Sequence, residues 1–169
     1  WSLHAGNQNM HLLCFDIDGT LVRSAGFDEA LYAGAIQDVL DVAIDTDWSQ
    51  YENVTDSGIL ETILKTHTQP GQRLRITREI RSIFIDRTKQ YLSDHTHAVG
   101  EVPGACALLE QLRKSPGVCV CLATGGWRET AAMKLRAIGL EPDTLVMATG
   151  SDAVRRTDIM RLAESRATR

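Results

Sequence analysis

The chain has 169 residues, 43% hydrophobic and 24% charged, with a formal net charge of -4, the makeup of a globular protein with one full core and room for a smaller appended one. Disordered and fibrous classes are excluded, and the acidic balance lacks the basic footprint that draws proteins to nucleic acid or anionic membranes. No apolar run approaches the ~18 residues that cross a bilayer and no signal pattern opens the chain, so the expectation is a cytoplasmic protein without a membrane partner.

Residues 1–9 show no apolar period, precede Met10, and are set aside from the fold. The first apolar run, residues 11–16, is short and ends in turn chemistry, which predicts a buried strand. From about residue 23 to 98 the pattern changes to helical spacing. Residues 25–42 place Phe27, Leu31, Ala35, Val39 and Val42 on one face, residues 56–66 do so with Ile59, Ile63 and Leu64, and residues 76–92 with Ile80, Ile83, Phe84 and Leu92. Gln69-Pro70-Gly71 separates the last two, and no strand is expected in this segment.

Beyond it, residues 103–114 read as a helix and Pro116-Gly117 as a turn into a second strand, 118–123. A further helix, 127–138, carries Ala131, Leu135 and Ile138 on its apolar side, with Glu129, Lys134 and Arg136 elsewhere and Gly139 as its stop. A third strand is predicted at 144–148, and the arginine-rich tail reads as a solvated helix face. Alternating strand and helix predict a parallel sheet with helices on both faces, interrupted by an inserted helical module. Cys14, Cys106, Cys119 and Cys121 lie in apolar surroundings without metal-type spacing, so four buried thiols are expected.

The chemistry concentrates at Phe15-Asp16-Ile17-Asp18-Gly19-Thr20-Leu21, which sets two carboxylates at the end of the first strand, the edge where open α/β sheets bind ligands. Alternation turns Asp16 and Asp18 to one side, and Gly19 permits a tight turn. Two neighbouring carboxylates resist joint ionisation unless a cation neutralises them or one stays protonated. One acid could therefore attack phosphorus while the other donates and later accepts a proton. A plain Asx turn ending a strand is the competing reading.

This stretch resembles the first signature of the haloacid dehalogenase-like hydrolase superfamily, in its capped, phosphoglycolate phosphatase-like branch. The resemblance implies Asp16 as nucleophile and Asp18 as acid/base, with Gly19 and Thr20 near the phosphate. Mg²⁺ would be held by the Asp16 carboxylate and the Asp18 backbone carbonyl. True dehalogenases lack the second aspartate, so Asp18 argues against dehalogenation. Leu122-Ala123-Thr124-Gly125-Gly126 is similar to the second signature, which makes Thr124 and Gly125 phosphate ligands at a helix start.

The third family element is a lysine shortly before Asp-Ile. Here Ser151-Asp152-Ala153-Val154-Arg155-Arg156-Thr157-Asp158-Ile159 offers no lysine, so Arg156 is the first candidate and Arg155 the alternative. The family's later Gly-Asp-x-x-x-Asp strand end, which supplies further magnesium carboxylates, does not occur before Arg169. Asp143 and Asp152 flank an earlier strand and are poor substitutes. The resemblance therefore implies a core truncated in its C-terminal part, with one strand edge unpaired.

By the same resemblance, residues 10–22 and 99–169 form a discontinuous Rossmann-like α/β core, and 23–98 form a helical cap that selects the leaving group. Within the cap, Thr55 and Asp56 could approach substrate or could simply cap the helix that follows, the second being slightly favoured. His95 and His97 are read as structural or solvated, and Trp127 as either pocket wall or core packing. The implied activity is phosphate-ester hydrolysis of a small phosphorylated metabolite through an aspartyl phosphate. Alternatives are a phosphomutase acting on a sugar phosphate and a non-catalytic scaffold.

Overall fold

The computed structural model describes residues 10–24 and 26–169. Strand β1 (His11–Phe15) pairs in parallel with β4 (Val118–Ala123), which pairs in parallel with β5 (Met147–Ala148), so the sheet order is β1-β4-β5. The period of two along β4 builds the layers on either side. Leu122 packs with Leu109 of helix α4 (Ala105–Arg113) and with Ala131 and Leu135 of α5 (Arg128–Ala137). On the opposite face, Cys121 and Ala123 pack against Ile159 and Ala163 of α6 (Arg156–Ala167). The core is thus three layers, helix, sheet and helix, as the alternation of elements predicts.

The third strand is shorter than expected. Pro142–Thr144 form a 3-10 turn in which the Thr144 hydroxyl donates to the Glu141 carbonyl, and ladder bonding begins only where Leu122 N donates to Val146 O. Cysteine burial also departs from expectation: Cys121 is buried, Cys106 and Cys119 are half-buried, and Cys14 is exposed. Cys14 lies opposite Cys121 in register, but among the described residues β1 pairs only with β4 and lies at the sheet edge, so α6 covers the inner strand and leaves Cys14 open.

Between the two core segments stand α1 (Phe27–Leu40), α2 (Asp56–His67) and α3 (Arg73–Asp94), which form the cap. Their apolar faces meet in a cluster of Tyr32, Ala35, Ile36, Ile59, Leu60, Ile63, Leu64, Ile76, Ile80 and Phe84. Two short strands, β2 (Val22–Ser24) and β3 (Val99–Glu101), pair antiparallel where the chain leaves and re-enters the core. β2 runs two residues into the segment expected to lack strands, and β3 begins just past its end. Three residues each are too few to show alternation, yet buried Val22 and Val99 tie the pair into the core.

Core and cap meet at Trp127. It precedes α5 in the core but is 1% exposed and belongs to the cap's apolar cluster, edge-on to Tyr32 and Phe84. Its indole N–H donates to Ser57 Oγ at 2.8 Å, and the Arg81 guanidinium lies over its ring. Packing, not the pocket wall, is the role the fold gives it. Truncation of a buried aromatic costs roughly 3–5 kcal/mol, so Trp127→Ala should lower the denaturation midpoint by a corresponding amount in urea titrations.

Candidate active site

Asp16 and Asp18 emerge at the carboxyl end of β1, and buried Ile17 points the other way into the core. Both aspartates line one cavity of ≈ 400 Å³. The turn after them is closed by Gly19 N donating to Val22 O and by Leu21 N and Val22 N donating to Ile17 O. Gly19 takes φ 78°, a left-handed conformation that glycine adopts without strain. Gly19 and Thr20 lie outside the cavity lining, and the Thr20 N–H is used within the turn on Ile17 O.

Thr124, Gly125 and Gly126 follow β4 and line the same cavity. Their loop is held by backbone: Thr124 N donates to Ala148 O, Gly150 N to Gly126 O, and Asp56 N to Gly125 O. Gly150 packs so closely that an added Cβ would fall 2.2 Å from the Gly125 carbonyl oxygen. Of the two candidate arginines, Arg156 reaches the cavity, 3.5 Å from Asp16 Oδ2, with its Nε donating to Val54 O at 3.1 Å. Arg155 faces a separate depression beside Glu52 and Asp158.

The sequence reading missed Lys134, which it put off the apolar side of its helix. The residue is 4% exposed. Its ammonium lies 2.6 Å from Asp18 Oδ1 and also donates to Asp28 Oδ2 on α1. Position 134 follows Ala131 by one turn and precedes Leu135, so it flanks the apolar stripe, and two carboxylates compensate the buried charge. Burial acts to lower the Lys134 pKa, but Asp18 and Asp28 outweigh it and the net shift is upward. Burial raises the pKa of Asp18, against the pull of Lys134, with Asp28 and Asp16 adding to the rise. A carboxyl displaced in this direction holds a proton more readily, as a general acid requires. Removing the buried ammonium leaves two partly exposed carboxylates unpaired, so Lys134→Met should cost on the order of 1–3 kcal/mol in thermal or urea unfolding, less than a fully buried pair.

Thr55 and Asp56 have structural partners. Thr55 caps α2 by accepting from Gly58 N at 3.0 Å, and its hydroxyl donates to Val154 O across to the core. Asp56 Oδ2 accepts the Trp127 N–H at 2.7 Å, at the start of α5. The positive end of that helix, expected to face phosphate, therefore meets a carboxylate of the cap. Both residues also line the cavity. Elsewhere, Asp152 is engaged by Arg166 and by Thr149, whose hydrogen bonds hold its carboxyl down at about 2. His95 stacks on Tyr91 and bonds its backbone carbonyl.

Burial pushes the Asp56 carboxyl up to about 7, opposed by the Trp127 N–H and Lys134. A folded-state value above the unfolded one of ~3.9 means the native chain binds the extra proton, so this contribution to stability is full at low pH and is lost as pH rises through about 7. Asp56→Asn keeps an oxygen for Trp127 and removes the titration. Its stability relative to wild type should improve by on the order of 1–3 kcal/mol from pH ~5 to pH ~8, read from paired melts across that range.

A helical cap closing over aspartates at the end of a parallel strand defines a capped, Rossmann-like α/β architecture. The chain belongs to the haloacid dehalogenase-like hydrolase family, whose model matches residues 10–163. Among solved structures, a hydrolase from Pseudomonas syringae superposes with TM-score 0.66 at 22% identity, over 94% of this chain and 71% of that one. CbbY from Rhodobacter sphaeroides in complex with phosphate gives TM-score 0.67 at 17% identity, over 95% and 73%. A CbbY mutant in complex with xylulose-(1,5)bisphosphate gives 0.66 at 17%, over 93% and 72%. At these identities the likeness is one of fold. No curated protein matches the sequence. Among the described residues, no helix is long and apolar enough to cross a membrane.

Proposed function

We propose that the protein is a phosphatase that hydrolyses a small phosphorylated metabolite, with residues 23–98 as the cap and 10–22 with 99–169 as the core. The observation that carries this reading is the convergence of Asp16, Asp18, Thr124, Gly125 and Arg156 on one cavity. In the proposed reaction, an Asp16 carboxylate oxygen attacks phosphorus and Asp18 gives its proton to the departing alcohol oxygen. Water then attacks the aspartyl phosphate, with Asp18 taking the proton back. Thr124 and Arg156 hold phosphoryl oxygens, the guanidinium offering two donors in one plane.

Among the described residues no group of three or more His, Cys, Asp or Glu side chains is placed to cage a metal. Mg²⁺ does not require such a cage, since it binds through one or two carboxylates, substrate phosphate and retained waters. The Asp16 carboxylate and the Asp18 backbone carbonyl are the donors that fit, and a cation there would offset the repulsion between carboxylate and phosphate. We place the protein in the cytoplasm, a reading that its free thiols support.

Mutagenesis with a panel of phosphate monoesters tests the assignment. Asp16→Asn should abolish Mg²⁺-dependent release of phosphate, and Asp18→Asn should lower kcat by about 10²- to 10⁴-fold, the usual worth of a general acid. Retained turnover in Asp16→Asn would remove Asp16 as nucleophile. Phosphate returned to substrate as an isomer, instead of released to water, would identify a mutase.

A further inference from the structure

The cavity has two chemically different sides. From the core come Asp16, Asp18, Thr124, Gly125, Lys134 and Arg156. The cap contributes Asp28, Glu29, Asp56, Tyr32, Trp48 and Phe84, and no lysine, arginine or histidine. Both cations of the lining thus belong to the core, and both are engaged: Lys134 by Asp18 and Asp28, Arg156 by Asp16 and Val54 O. On the cap side, Asp28 is satisfied by Lys134 and Asp56 by the Trp127 N–H. Glu29 is exposed at the rim of the cavity, with no ion-pair or hydrogen-bond partner among the described residues. Beside these acids stands an aromatic wall, with half-buried Trp48 edge-on to Tyr32 at 5.9 Å.

Carboxylates next to aromatic rings form the environment that binds an organic ammonium, through charge-assisted hydrogen bonds and the negative faces of the rings. A leaving group bearing a carboxylate or a second phosphate would meet Glu29 with no free cation to receive it, and like charges repel. Building on the phosphatase reading, we propose that the cap side selects a phosphomonoester of an amino alcohol, with Glu29 receiving the ammonium against Trp48, and that it rejects esters whose alcohol half is anionic. The volume of ≈ 400 Å³ accommodates such a substituent beyond the phosphoryl group.

Two non-hydrolysable probes of similar size isolate the charge: 2-aminoethylphosphonate and phosphonoacetate. Each is titrated calorimetrically into the whole chain with Mg²⁺ at low ionic strength and slightly alkaline pH. The ammonium probe should bind about 3- to 10-fold tighter, the range an accessible charge pair can supply. Glu29→Gln should reduce that ratio by about 3-fold, and added salt should shrink it further. Equal or tighter binding of phosphonoacetate, a ratio unchanged in Glu29→Gln, or failure of both probes to bind would each overturn the proposal. Hydrolysis of an aryl phosphate, assayed separately, reports on the phosphatase reading alone: its loss with the binding ratio intact sinks that reading and not this one.

Discussion

The ammonium of Lys134 sits where the halves of the molecule meet. It reaches Asp18 at the end of β1 and Asp28 at the start of α1. Charges this sheltered are tolerated only when paired, and pairing here requires the core and the cap to be together. The aspartate pair at the sheet's carboxyl edge is arranged around it: Arg156 approaches Asp16, Lys134 holds Asp18, and the two aspartates meet different cations. In the proposed reaction it is burial, acting against the pull of Lys134, that lets Asp18 hold a proton to donate.

Other links across the same boundary reinforce the closed arrangement. Ser57 Oγ donates to Gly150 O, Arg81 bonds Glu129 and Ser151, and Arg156 reaches Val54 O. The Ser57 link, like the Asp56 N–H to Gly125 O, uses backbone atoms of the loops after β4 and β5, which themselves touch through Gly150 and Gly126. The phosphate-loop geometry proposed above is therefore set as much by the cap as by the sheet. The cap side carries acids and aromatics and the core side both cations, so under the proposed reading the phosphoryl end of an ester would face the core.

Local pattern was enough to find most of this. The Asp16–Asp18 alternation, the run at 118–123 and the helical stripes of the cap are periodic features of nearby residues, and they lie where the pattern predicts. What escaped the sequence depends on distant partners. Lys134 on a helix reads as a solvated side chain, because the acids that justify its burial lie 116 and 106 residues away in the chain. Its place beside the stripe of Ala131, Leu135 and Ile138 was the available clue. Cys14 looks like its buried neighbours until sheet order puts β1 at an edge, and β2 and β3 are too short to carry a period. Thr55 and Asp56 were weighed as either caps or substrate contacts. Asp56 accepts the Trp127 N–H at the start of a helix belonging to the other half of the protein, a relation no local motif encodes.

Trp127 carries a consequence for unfolding as well as for packing. Its backbone belongs to the core segment and its ring to the cap's interior. Hydrogen-exchange units usually follow contiguous packed clusters, and an appended helical module often opens on its own. Here the cap cannot lose its interior without exposing a core-borne indole, nor can the start of α5 fray without unseating three cap helices. The two halves are thereby joined into one cooperative unit, so amides in α1 to α3 should share the protection of those in β4, although the β2–β3 pair lies between them in the chain.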